Sequence, residues 1–309
     1  MSIEPSPDTA SWIELLPPEI RPWAPIVVPW IVFYAPRAAN ALVNVVQDRF
    51  RHDGAETRDI ALANGAEMTR SFASTVDALI ASGRVTEEQV RKRFDDPGFV
   101  KALQDRLLDA CETPSKFIHD ELASLMAELL TAPVESRRAI MLRSAAAAVR
   151  NVNARQARIL ALAYALLYRG PEPDEESRLR DSTDAVKEYF LAAVISTLEP
   201  FNDVEYDYVD INYLAEVGLL TILDRHFTDS QSRLLAPINF SAMSLPPSFH
   251  EHPVLVRAQR LLETNLNDER IGLNSIRLTP LGFIVGLCGY RLANGDRFEL
   301  DSSWDDPTG

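Results

Sequence analysis

Cysteine is nearly absent: Cys111 and Cys288 are the two that occur in 309 residues. They lie far apart, each within an apolar helical pattern, which argues against a disulfide framework or a cysteine zinc site and predicts two buried thiols in a cytoplasmic chain. Histidine is scarce too. His52, His119 and His226 are isolated, and none sits in an HExxH sequence or a nucleophile elbow. His250-Glu251-His252 offers two imidazoles without the third protein ligand that zinc needs. The chain also has no P-loop and no GxGxxG sequence, so no cofactor is implied and nothing local supports an enzyme. Catalytic groups could still converge from distant positions, so an enzyme with dispersed catalytic residues stays open as an alternative.

A hydrophobic run of spanning length is missing as well. The most apolar stretch reads RPWAPIVVPWIVFYAP, from Arg21 to Pro36, whereas a transmembrane helix needs roughly 20 apolar residues at about 1.5 Å each. Pro25 and Pro29 would each delete an internal backbone hydrogen bond, an expensive loss in lipid. A secretory signal fits poorly, because Glu4, Asp8, Glu14 and Glu19 precede the first basic residue, Arg21. Trp23, Trp30, Phe33 and Tyr34 are therefore expected to pack as an irregular arm against the protein or a second copy, or to make reversible contact with a membrane interface.

What is present in quantity is acid and helix. The net charge is −14, which opposes nonspecific attraction to nucleic acid or an anionic bilayer and favours a positively charged partner. From about Glu56 apolar residues recur at spacings of three and four, as in Met68, Phe72, Val76 and Leu79. Further stripes run through Phe99 to Leu108 and Phe117 to Leu129, and helices are expected over Glu135 to Val149, Ala154 to Tyr168 and Thr183 to Leu198, the last with Val186, Tyr189, Phe190, Ala193 and Val194 inward. Thr86-Glu87-Glu88-Gln89 has capping-box spacing, Gly83 can end the helix before it, and Asn153 can start the helix that follows. These features predict a mainly α fold with antiparallel neighbours in a bundle.

The C-terminal third changes character. A helix from about Ile211, capped by Asp210, leads through Gly218 into a β-prone run, Leu219 to Leu223. After a long interruption and a helix near Pro253 to Leu266, a second β-prone run covers Ile271 to Leu278, and Thr279-Pro280 then opens a last helix. This order resembles a winged-helix-like α/β module with a short β-hairpin. The expected divisions are an apolar arm over residues 1–46, a helical bundle over 47–170 and the winged-helix-like domain over 171–309, with the proline- and charge-rich segment Gly170 to Asp181 as the boundary.

One run contains no acid: SRRAIMLRSAAAAVRNVNARQARIL, with Arg137, Arg138, Arg143, Arg150, Arg155 and Arg158. Arg143 and Arg150 share a helical face, so their guanidinium forks could meet phosphates or an acidic partner. Alternatively, these arginines pair with the acidic helices of the same bundle. Nucleic acid is disfavoured, because the run lacks interleaved aromatics and the segment Asp210 to Val217 carries acids and no Lys or Arg. The acidic approach DVEYDYVD lacks the glycine turn and closing glutamate of an EF-hand loop, which leaves no metal site. Gly282, Gly286 and Gly289 follow at intervals of four and three, a spacing that lets another backbone approach closely.

Two blocks together resemble a known family. DELASLMAELLTAP followed by NVNARQARILALAYAL, and INYLAEVGLL followed by IRLTPLGFIVGLCGY, look like the abortive-infection alpha family of prokaryotic phage-resistance proteins. The residues with a pattern beyond generic helix are Leu219, Leu278, Thr279, Leu281, Gly282 and Cys288. The resemblance implies defence or cell arrest without implying a reaction. The expected protein is thus non-enzymatic, acting through a protein partner, self-association or peripheral membrane contact, and a winged-helix DNA-binding regulator is the alternative.

Overall fold

The computed structural model describes residues 48–169, 184–223, 234–235, 252–263, 271–296 and 298–300. It is mainly helical with one small antiparallel sheet. Two compact units divide it: residues up to Arg150 together with Leu300 onward, and Asn151 to Glu299.

The first unit contains α1 (Ala55–Ala81), α2 (Glu87–Phe94), α3 (Pro97–Glu112), α4 (Lys116–Thr131) and α5 (Arg137–Val149). Side-chain caps start α2 to α5. Thr86 and Gln89 form the reciprocal capping box at α2, Asp96 and Ser115 accept from the first turns of α3 and α4, and Ser136 caps α5. Gly83 leaves α1 at φ +72°, a backbone conformation that glycine adopts without a Cβ penalty. The stripe Met68, Phe72, Val76 and Leu79 is fully covered, since α1 packs on α3 and α4.

Helix α4 touches α1, α2, α3 and α5 and is buried almost all round, from Ile118 to Leu130. A helix in that position must satisfy whatever polar groups it carries. Glu128 does so fully: Arg84 donates to both carboxylate oxygens at 3.0 and 3.1 Å, and the Leu300 N–H donates at 3.2 Å. Arg138 holds the other side of the same residue, donating to the Leu300 carbonyl at 3.1 Å and to the Thr131 carbonyl at 2.8 Å. His119 Nε2 donates to the carbonyls of Thr113 and Ala110 at 2.6 and 3.1 Å, which ties α4 to the end of α3.

The second unit contains α6 (Ala154–Tyr168), α7 (Asp184–Leu198), α8 (Tyr208–Glu216), β1 (Leu220–Ile222), α9 (Pro253–Leu262), β2 (Ile276–Leu278) and α10 (Pro280–Ala293). Asn153 and Gln156 form a capping box at α6, and Thr279 caps α10 with Pro280 in its first turn. The two β-prone runs do pair: Leu220 faces Leu278 and Ile222 faces Ile276, antiparallel. The pairing is short because Leu273–Ser275 forms a 3₁₀ turn before β2.

The core of this unit is the α6–α10 pair. A Cβ on Gly286 would lie 2.7 Å from the Leu160 carbonyl oxygen and 3.1 Å from Tyr164 Cβ, and one on Gly282 would overlap the Leu219 carbonyl. Glycine here lets backbone meet backbone, as the spacing anticipates. Tyr164, Tyr168 and Phe283 fill the remaining space with edge-to-face contacts at 5.2 and 5.3 Å.

Several sequence expectations shift. The helix Ala154–Tyr168, which the boundary at Gly170 to Asp181 assigned to the first bundle, packs on α10, and the compact units divide at Arg150–Asn151. Helix α8 begins at Tyr208 instead of Ile211, because Asp207 caps it and Asp210 serves as the reciprocal partner. Among the described side chains of α7 the buried ones are Leu191, Val194 and Leu198, whereas Tyr189 is 80% exposed, and the side chain of Val186 lies outside those described. Cys111 and Cys288 are both buried free thiols, and burial pushes the Cys111 thiol up to about 12. Residues 21–36, with Trp23, Trp30, Phe33 and Tyr34, and the segment 170–181 lie outside the described residues.

Candidate functional site

The acid-free arginine run is distributed over both units, and acids or carbonyls from distant sequence meet most of it. In the first unit Arg138 is buried on Thr131 and Leu300, and Arg150 Nε meets Asp109 at 3.2 Å. Asp109 also meets Arg106 at 3.0 Å, and burial still raises its carboxyl above the ordinary range. Arg143 folds back on its own helix, its Nε donating to the Ala139 carbonyl at 3.4 Å. Arg137 stands exposed at the start of α5. Arg143 and Arg150 share a face as expected, but Arg150 is committed to Asp109.

In the second unit, the capping box at Asn153 sets the first turn of α6 so that Arg155 and Arg158 project toward the turn Glu199–Phe201 and the segment after it. Arg158 donates to both Asp203 carboxylate oxygens at 2.7 and 2.5 Å and to the Pro200 carbonyl at 2.8 Å. That hydrogen-bonded fork lowers the Asp203 carboxyl below its usual range and raises the Arg158 guanidinium. Arg155 donates to the Glu205 carbonyl at 2.8 Å and meets Asp210 at 2.6 Å and Asp207 at 3.6 Å. From α9, Arg257 donates to the Val204 carbonyl at 2.6 Å. Three arginines thus hold the segment 200–210 that delivers the chain into α8.

Arg155, Arg158, Asp203, Val204 and Glu205 line a surface recess of about 310 Å³. Its guanidinium forks are already occupied by carboxylates, so it presents neither a ready phosphate clamp nor a nucleophile with a base. Among the described residues no group of three or more His, Cys, Asp and Glu is arranged to hold a metal ion. No helix among them is long and apolar enough to cross a membrane.

Beside the recess lies a surface that sequence reasoning missed. Asp210, Ile211 and Leu214 of α8 face inward, which turns Tyr208, Val209 and Tyr213 outward at 49%, 71% and 36% exposure. Tyr213 is fixed there, its hydroxyl donating to the Asn151 carbonyl at 2.5 Å. The signal was present as three apolar residues out of phase with the core stripe of a nine-residue helix. It was masked because the early part of α8 read as an acidic approach instead of a helical turn.

Residues 35–243 match the model of an uncharacterised family described only as ":-like". The match covers more than half of the chain, and the chain belongs to that family. Neither a curated protein nor a solved structure matches it.

Proposed function

We propose that this protein is a non-enzymatic defence protein of the abortive-infection kind that acts by binding another protein. The resemblance of its two sequence blocks supplies the biological role, and the outward face of α8 carries the mode of action. A cluster of a valine and two tyrosines on one rigid helix is the composition of a protein-contact patch. The order α8, β1, α9, β2, α10, with β1 and β2 paired across the intervening α9, supports a winged-helix-like reading of the second unit as a scaffold for α8. It gives little support to a DNA reader, because the helix before β1 presents apolar and acidic side chains where phosphate contacts require Lys or Arg. An enzyme is disfavoured by a recess whose charges neutralise one another.

Phage challenge of a bacterial host producing the protein tests this reading. Wild type is expected to lower plaque counts for at least one phage of a broad panel. Val209→Asp, checked to be folded and equally abundant, is expected to restore them. Plaque counts unaffected by wild type across the panel would remove the defence role, and equal protection by Val209→Asp would remove the α8 face as its means.

A further inference from the structure

The charges around the α8 face specify the chemistry of what it binds. Between residues 199 and 216 the chain carries Glu199, Asp203, Glu205, Asp207, Asp210 and Glu216, with no Lys or Arg. Asp203 and Asp210 are neutralised by Arg158 and Arg155. Glu205, however, is 84% exposed and meets Arg257 only at 4.0 Å, Asp207 is exposed and meets at 3.6 Å the same Arg155 that Asp210 holds at 2.6 Å, and Glu216 is exposed. The apolar patch therefore has acid at both ends: Glu205 and Asp207 where α8 begins, Glu216 where it finishes.

We infer that this face binds a basic amphipathic segment of a partner protein, with apolar side chains over Val209 and Tyr208 and a Lys or Arg toward each end. The inference rests on the protein-contact reading above and adds the class of ligand. Nine helical residues at about 1.5 Å each separate the two acidic ends by roughly 13 Å. A docked helix approaches that span with basic residues seven or eight positions apart, about 10–12 Å along its axis, their long side chains reaching the rest, and apolar residues between them. A second copy of a chain with net charge −14 would bring like charge to the same rim, and an anionic bilayer or nucleic acid would do the same. A basic protein segment is the occupant that matches both the apolar centre and the acidic ends.

Panning a phage-displayed library of random dodecapeptides against the full chain, followed by fluorescence anisotropy of the enriched peptides, tests this directly. Enriched peptides are expected to carry Lys or Arg flanking aliphatic or aromatic residues. They should bind about tenfold or more weakly to Val209→Asp and to Glu216→Lys, and more weakly as salt increases. Both positions are exposed, and unchanged thermal unfolding confirms that the variants are folded. Failure to enrich any peptide, enrichment without basic residues, or equal affinity for Val209→Asp would overturn the inference. So would a wild-type self-association, measured by sedimentation, that Val209→Asp abolishes. Peptide binding together with equal protection by Val209→Asp against phage would instead remove the α8 face as the means of defence and leave the ligand class standing.

Discussion

Glu121 lies at the centre of α4 with no exposed surface, and burial pushes its carboxyl from 4.5 up to about 8. Between those values the folded protein keeps a proton that the unfolded chain has released. The folded state then binds more protons, and stability falls as pH rises through that window before levelling above about 8. Glu121→Gln removes the titrating proton while keeping a similar shape. It is expected to match wild type in urea unfolding near pH 5 and to gain on it progressively toward pH 8, and a pH-independent difference would show that the carboxyl ionises without penalty. Asp109 and Glu128 are raised by burial too, so part of the slope remains. The arginine run shows why such environments are hard to read from sequence. The run itself was obvious, but its partners Asp109, Asp203, Asp207 and Asp210 come from other segments, and the pairing is a product of tertiary structure.

Helices were far more legible, because their ends are decided locally. Thr86 with Gln89, Asn153 with Gln156 and Thr279 with Pro280 mark helix starts in the sequence and cap helices in the structure. The inward face of α7 was less legible, since a helix apolar on several sides offers no single period and placed Tyr189 inside. The glycines of α10 sit between these extremes: their spacing implied a close neighbour without saying which. The neighbour of Gly286 is the Leu160 turn of α6. Gly286→Ala is expected to lower stability by roughly 3 kcal/mol, an overpacking cost with no compensating space. Urea unfolding of the variant measures this, and a loss of a few tenths of a kcal/mol would mean that α6 and α10 separate easily.

At the scale of the molecule, the chain leaves the first unit at Arg150 and re-enters it at Leu300. There the backbone N–H and C=O of one residue are taken up by Glu128 and Arg138, both buried. A chain ending at residue 299 keeps Phe298 and every described helix of both units but loses the buried Leu300 side chain and two hydrogen bonds to charged groups, each worth about 1.5–3 kcal/mol. Hydrogen exchange is expected to show weaker protection in α4 and α5, with α6 and α10 close to wild type. Equal loss in all four helices would mean that the two units unfold as one.

This clamp has a consequence for synthesis. Glu128 emerges from the ribosome 172 residues before Leu300, so the first unit to be translated is completed only after all of the second has been made. A chain cut short by translational arrest carries a first unit whose central carboxylate still lacks its backbone partner, and so offers proteases a less stable target than the finished protein.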